Sequence, residues 1–130
     1  MKSVPKPKKS KTKSLKEKCV ALAIKIAKHG KGCVAEPQYC HNGFMSRLID
    51  GAHIVGQAQS ARTAARTDNI VPLCRECHTF YTAHPNEWKV FIDLLHPGRR
   101  QMLEAVARVQ GNIDWEKIYR GLQDEWKVIE

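Results

Sequence analysis

Four of the five cysteines in this 130-residue chain fall in two pairs, C-x6-C at Cys33 and Cys40 and C-x2-C at Cys74 and Cys77. Two such pairs, brought together by a fold, supply the four thiolates of a closed tetrahedral zinc site. The bland alternative is four unrelated buried thiols. His41 follows Cys40 and is either a substitute donor for it or a surface residue. A zinc site of this kind would staple segment 33–40 to segment 74–77 and would itself do no chemistry. The basic start MKSVPKPKKSKTKSLKEK is not followed by a cleavable apolar segment, so no export signal is read. Cysteines in a chain without an export signal point to metal rather than disulfides, and to the cytoplasm as the expected location. No stretch approaches the roughly 18 apolar residues that would span a membrane.

Charge divides the chain. Of the formal net charge of +9, residues 1–18 hold eight lysines and one glutamate, so +7 lies in the first eighteen positions. A Lys/Pro/Ser segment with almost nothing to bury is expected to be disordered over residues 1–13. Its lysines, Lys8, Lys9 and Lys11 among them, read either as a solubilising extension or as an arm that releases counterions from nucleic acid.

Residues 14–130 read as one domain. Ser14 and Glu17 form a capping box at the start of a helix with Leu15, Cys19, Leu22 and Ile26 on one stripe, ended near Gly30. Cys19 lies on that stripe and reads as a buried thiol. Three further helices follow the centre of the chain: NEWKVFIDLL (86–95), RRQMLEAVARVQ (99–110) and DWEKIYRGLQDEWKVI (114–129), the last with Asp114 as N-cap. Trp115, Ile118, Leu122, Trp126 and Ile129 make a stripe that reads as core or partner interface, for a second copy of the chain or a recombination protein.

Between these helical regions, residues 33–84 carry the chemistry. SRLIDGAHIVG reads as a strand or hairpin, QAQSARTAARTD as a loop, NIVPL as the lead into the C-x2-C knuckle, and RECHTFYTA as one or two helical turns. His53 sits near the strand, Asn69 at the loop exit and His78 on the helix. The expected fold class is α+β: a small zinc-stapled centre with an N-terminal helix and a helical C-terminal third.

That order of residues resembles the HNH endonucleases, the ββα-metal nuclease family. AHIVG is similar to the family's first-strand segment, and NIVPLCRECH is similar to its N-x-x-P-L-C-x-x-C-H segment almost letter for letter. GAHIVGQAQSARTAARTDN is similar to the lead-in of phage recombination nucleases of the NinG-like kind. The resemblance covers roughly residues 33–84. It implies a metal-dependent DNA endonuclease, expected from a phage or mobile element and acting in the host cytoplasm. His53 would be the general base, Asn69 would orient His53 or its loop, and His78 would bind a catalytic Mg²⁺, Mn²⁺ or Zn²⁺ distinct from the structural zinc.

The sequence departs from the family at Ala52, where most members carry a second metal ligand. Asp50 lies two residues earlier on the same strand face and is the substitute ligand, or else a turn aspartate. His84, six residues beyond His78, is a further candidate ligand or a cap beside Pro85. Arg47, Arg62, Arg66, Arg99 and Arg100 are the candidate phosphate contacts, with Arg62 and Arg66 best placed between the His53 and Asn69 segments, and Arg99 and Arg100 read rather as ordinary solvated arginines. The alternative function is a catalytically silent zinc module that binds DNA or a protein partner.

One prediction concerns the tail. Deleting residues 1–13 removes six lysines. DNA affinity is expected to fall and its dependence on salt to flatten, because fewer counterions are released, with the melting temperature unchanged. An unchanged salt slope in an anisotropy titration would make the tail a passive extension.

Overall fold

The structure, a computed structural model, describes residues 13–35 and 48–130. The expectations for the lysine tail before residue 13, for Cys40, His41 and Arg47, lie outside the described residues. The described chain is α+β: six α-helices around a two-stranded antiparallel sheet.

The first helix, α1 (Leu15–Lys28), starts where expected: the Ser14 hydroxyl accepts the N–H of Glu17. Gly30 ends its run with φ +66°, a left-handed conformation that glycine adopts without strain. Strand β1 (Ile49–His53) then pairs with β2 (Ile70–Cys74) in the register Ile49↔Cys74 to His53↔Ile70. Flanking hydrogen bonds, Ile54 N–H to Asn69 O at 2.8 Å and Arg75 N–H to Leu48 O at 3.1 Å, fix which pairs exchange bonds. Their alternation leaves Gly51↔Pro72 as a non-hydrogen-bonded pair, so the missing N–H of Pro72 costs the ladder nothing.

Gly51 is required by packing. A Cβ there would lie 2.8 Å from Cγ2 of Ile24 and 2.9 Å from Cγ2 of Ile70. Helix α1 therefore crosses directly over the bare backbone of β1. Lys28, in its last turn, reaches the carbonyl of Ile49 at 3.1 Å.

The segment read as a loop is partly helical. Ser60 caps a single turn, α2 (Ala61–Ala64), and a 3-10 turn follows over Thr67–Asn69. Its small side chains allow this, since Thr63, Ala64 and Ala65 are buried against neighbouring elements where larger residues would not fit. The lead-in NIVPL is mostly strand: Ile70 to Leu73 belong to β2. The knuckle segment forms α3 (Arg75–Ala83), followed by α4 (Pro85–Leu95), α5 (Arg99–Ala107) and α6 (Trp115–Ile129), the last capped by Asp114.

Two apolar clusters result. In the first, Cys19, Val20, Ala23, Ile26 and Ala27 of α1 pack with Ala64, Ile70 and Leu122. Trp115, Ile118 and Trp126 close over it, so most of the stripe on α6 is spent inside the chain against α1. Cys19 is fully buried, and its thiol donates to the carbonyl of Trp115 at 3.4 Å. The second cluster gathers Ala52, Leu73, Cys74, Cys77 and Tyr81, with Phe80, Trp88 and Phe91 packed against it. Among the described residues, no helix is long and apolar enough to cross a membrane.

Gly51→Ala should cost about 1–3 kcal/mol, the usual penalty of overpacking against a fixed neighbour. A urea titration should show a lower midpoint with an unchanged slope. A midpoint equal to that of the wild type would mean that α1 does not rest on β1 as described.

Candidate functional site

The cysteines are assembled by two backbone devices. Val34 donates its N–H to the carbonyl of Pro72 at 2.9 Å, which lays the segment after α1 along the outer edge of β2 and brings Cys33 to its end. Cys74 is both the last residue of β2 and the N-cap of α3, and its Sγ accepts the N–H of Cys77 at 3.4 Å. The sulfurs of Cys33, Cys74 and Cys77 all lie within 4.8 Å of one another. Zn–S bonds of about 2.3 Å in a tetrahedron place sulfurs roughly 3.8 Å apart, so only a small contraction separates this arrangement from a metal shell. Three close cysteines of this kind could hold a metal ion. They form the only cluster of three or more close metal-ligating groups among the described residues.

Next to this cluster is a cleft of about 470 Å³ whose walls include His53, His78, Tyr81, Trp88 and Lys89. His53 ends β1, and its Nε2 lies 2.9 Å from the carbonyl oxygen of Ala64. A carbonyl can only accept, so Nε2 carries the hydrogen and Nδ1 holds the free lone pair. Burial pushes the His53 imidazole below its ordinary pKa. The Ala64 carbonyl opposes this, and the nearby His78 adds to the depression. The ring is therefore held neutral, with a basic nitrogen available.

His78 lies in the second turn of α3, one residue beyond the buried Cys77, so its ring turns from the cysteines to the cleft. Its Nδ1 is 3.1 Å from Oδ2 of Asp50. Arg75 also binds Asp50, with Nη2 3.1 Å from Oδ1. The Arg75 hydrogen bond, outweighing partial burial and assisted by His78, holds the Asp50 carboxyl below its ordinary range. An ionised carboxylate only accepts, so His78 donates from Nδ1 and its Nε2 is the nitrogen left to act as a ligand. Asp50, the substitute ligand or turn aspartate of the sequence reading, bonds through its two oxygens to Arg75 and His78.

Asn69 is completely buried. Its Oδ1 accepts the N–H of Val55 at 2.8 Å, and its Nδ2 donates to the carbonyls of Val55 and Thr63, each at 3.0 Å. One amide thus ties the exit of β1 to α2. Ala64, whose carbonyl fixes His53, is the residue after Thr63, so Asn69 sets the histidine through the backbone.

The remaining sequence candidates are placed elsewhere. His84 caps the end of α3, with Nδ1 2.7 Å from the Phe80 carbonyl and its ring stacked on Phe80 at 4.1 Å. It does not line the cleft. Arg62 donates to the carbonyls of Val109 and Gly111, tying α2 to the segment after α5. Arg66 pairs with Asp68 at 2.8 Å. Both are engaged within the chain as structural staples.

Sequence reasoning did not find Arg75 or the carbonyl of Ala64. Arg75 becomes the partner of Asp50 only through the register that sets Ile49 opposite Cys74. The far wall of the cleft, with Trp88 and Lys89 from α4 and Glu104 from α5, likewise had no sequence signal, while Arg100 there was read as a phosphate candidate or an ordinary solvated arginine. No protein-family model, curated protein or solved structure matches the chain.

The cysteine cluster yields a direct test. Purified protein should carry close to one zinc per chain by elemental analysis, and Cys74→Ser should lose most of it. Because such a metal contributes to folding, the variant should melt about 10 °C lower, equivalent to roughly 2–3 kcal/mol in a domain of this size. A metal-free wild type melting with the variant would leave the cluster as packed thiols.

Proposed function

We propose that the chain is a metal-dependent DNA endonuclease of the HNH, ββα-metal type, serving recombination or DNA processing in a phage or mobile element. The observation that carries this reading is the pair of histidines on one cleft. His53 offers a lone pair from Nδ1 and His78 one from Nε2, each with its other nitrogen held by an acceptor. Phosphodiester hydrolysis needs one base for the attacking water and one cation near the developing charge. The order β1, Asn69, β2, α3, with the cysteine cluster beside it, supports the same reading.

In this reaction His53 Nδ1 takes a proton from water as the oxygen bonds to phosphorus and the bond from phosphorus to the leaving oxygen breaks. The Ala64 carbonyl keeps the imidazole oriented, and it stabilises the imidazolium once the proton has arrived. Asn69 holds that carbonyl in place. The donor set at His78, an imidazole backed by a carboxylate, fits a divalent ion whose shell is completed by water and phosphate oxygens. Such an ion, when bound, supplies positive charge to the phosphate. Asp50 would keep His78 aimed at it. The zinc held by Cys33, Cys74 and Cys77, with Cys40 as the fourth donor, would be structural.

A second reading, a catalytically silent zinc module that binds DNA or a protein, has one observation in its favour. Ala52, at the position where the family resemblance expects a ligand, is buried beside Leu73 and the cysteines and offers no donor.

Plasmid nicking with Mg²⁺, Mn²⁺ or Zn²⁺ separates the two. His53→Ala should keep its fold and zinc and lose about 10²–10⁴-fold in rate, the usual contribution of a general base. Asp50→Ala should lose roughly 10–100-fold, as expected for removal of an orienting partner. The neutral form of His53 is the active one, and its pKa is depressed. The wild-type rate should therefore rise with pH and reach half its plateau below the ordinary imidazole value of about 6.5. Equal nicking by folded, zinc-loaded wild type and His53→Ala would favour the silent module.

A further inference from the structure

A second cavity, of about 400 Å³, shares no residue with the histidine cleft. Its walls come from the end of α1, from β2, from the turn between α4 and α5, and from α6. Three basic side chains, Lys31, His96 and Arg99, line it. The α4–α5 turn brings the last two together: the His96 N–H bonds to Ile92, and its carbonyl accepts the N–H of Arg99 at 3.1 Å. Gly98 makes this turn with φ +81°. Lys31 arrives from the other side, just past α1.

These cations differ from most other basic groups discussed so far. Arg62, Arg66, Arg75 and Arg100 are all held by carbonyls or carboxylates of the chain. Among the described residues, Lys31, His96 and Arg99 have no ion pair. Of the two carboxylates on the cavity wall, Asp68 is bound through both oxygens by Arg66, and only Glu125 stands without a cation. The convergence is close enough to be felt electrostatically. Burial depresses the His96 imidazole below its ordinary pKa, and Arg99 and then Lys31 depress it further. Lys31 and Arg99, with the single unpaired carboxylate of Glu125 on the same wall, leave positive charge at the cavity that a bound anion would offset.

We infer that this cavity is a phosphate-binding site, formed by Lys31, Arg99 and His96, separate from the histidine cleft. A guanidinium presents a planar fork of donors that matches two phosphate oxygens, and a lysine adds a flexible point charge beside it. The phosphate is either one in a nucleic-acid backbone or one of a free oligophosphate. The inference uses no catalytic step and stands whether or not the cleft cuts DNA.

The test is a double variant, Lys31→Ala with Arg99→Ala, in the full chain. Among the described residues neither side chain has an ion pair to lose, so the melting temperature should hold. Binding to a 20-base-pair duplex, followed by fluorescence anisotropy, should weaken about tenfold or more at 150 mM salt. The slope of log affinity against log salt should be shallower by about 2. Lys16→Ala with Arg120→Ala removes the same charge from exposed positions elsewhere and should change both quantities far less. The charge-keeping pair Lys31→Arg with Arg99→Lys should recover most of the affinity. Nicking by His53→Ala is irrelevant to these readouts, so failure here is distinct from failure of the nuclease reading.

A titration with pyrophosphate, following the His96 ring by NMR, distinguishes the two sources. Loss of duplex binding in the double variant assigns the site to nucleic-acid phosphate. Unchanged duplex binding, with pyrophosphate shifting His96 in the wild type and not in the variant, assigns it to a free oligophosphate. If neither ligand distinguishes wild type from variant, or if the control pair loses as much as the double variant, there is no phosphate site in this cavity.

Discussion

The register of the two-stranded sheet is the constraint on which the rest depends. Five residue pairs set Ile49 opposite Cys74 and His53 opposite Ile70. A slip of one residue would turn every side chain of β1 to the other face. His53 would lose the Ala64 carbonyl, Asp50 would leave Arg75 and His78, and Gly51 would no longer lie under Ile24. The register is held from both ends and from above. Asn69 locks the exit of β1, Arg75 bonds back to Leu48, and α1 fits only over a glycine. With two strands and few hydrogen bonds, such a sheet is marginal alone. A metal held by the cysteine cluster at the end of β2, as proposed, would add a restraint that the ladder lacks.

The site built on this sheet is a pair of imidazoles with opposite tautomers. His53 is fixed through Nε2 and presents Nδ1, and His78 is fixed through Nδ1 and presents Nε2. The different acceptors matter. A neutral carbonyl holds His53 without strongly favouring its charged form, so burial dominates and the ring remains a base. A carboxylate holds His78 through Nδ1, which fixes the direction in which Nε2 points. The proposed base and ligand roles follow from what lies behind each ring.

Much of this was legible in the sequence, for reasons that can be named. Ser14 and Asp114 marked helix starts because their oxygens satisfy first-turn N–H groups, and Gly30 marked a stop. The C-x2-C spacing implied a knuckle, and two thiols at that spacing meet wherever the chain turns into a helix. Other features were hidden. Residues 57–68 read as loop because they are polar and small, yet that smallness is what lets Thr63, Ala64 and Ala65 be buried. Arg62 and Arg66 read as phosphate contacts because charge shows in a sequence and its partners do not; Val109, Gly111 and Asp68 claim them. Arg99, read as an ordinary solvated arginine, lines a cavity and has no ion pair among the described residues. Asp50 was picked out by strand parity, but its contacts come from Arg75 and His78 across the register, which no local pattern encodes.

The tautomers of the two histidines test the central claim most directly, since both proposed roles follow from them. Long-range ¹H–¹⁵N correlation spectra of the zinc-loaded protein, assigned with His53→Gln and His78→Gln, report which ring nitrogen carries hydrogen. The account predicts His53 neutral at pH 7 with hydrogen on Nε2, and His78 with hydrogen on Nδ1 in contact with Asp50. Hydrogen on Nδ1 of His53, or a doubly protonated His53 at pH 7, would remove the base from the cleft and contradict the account.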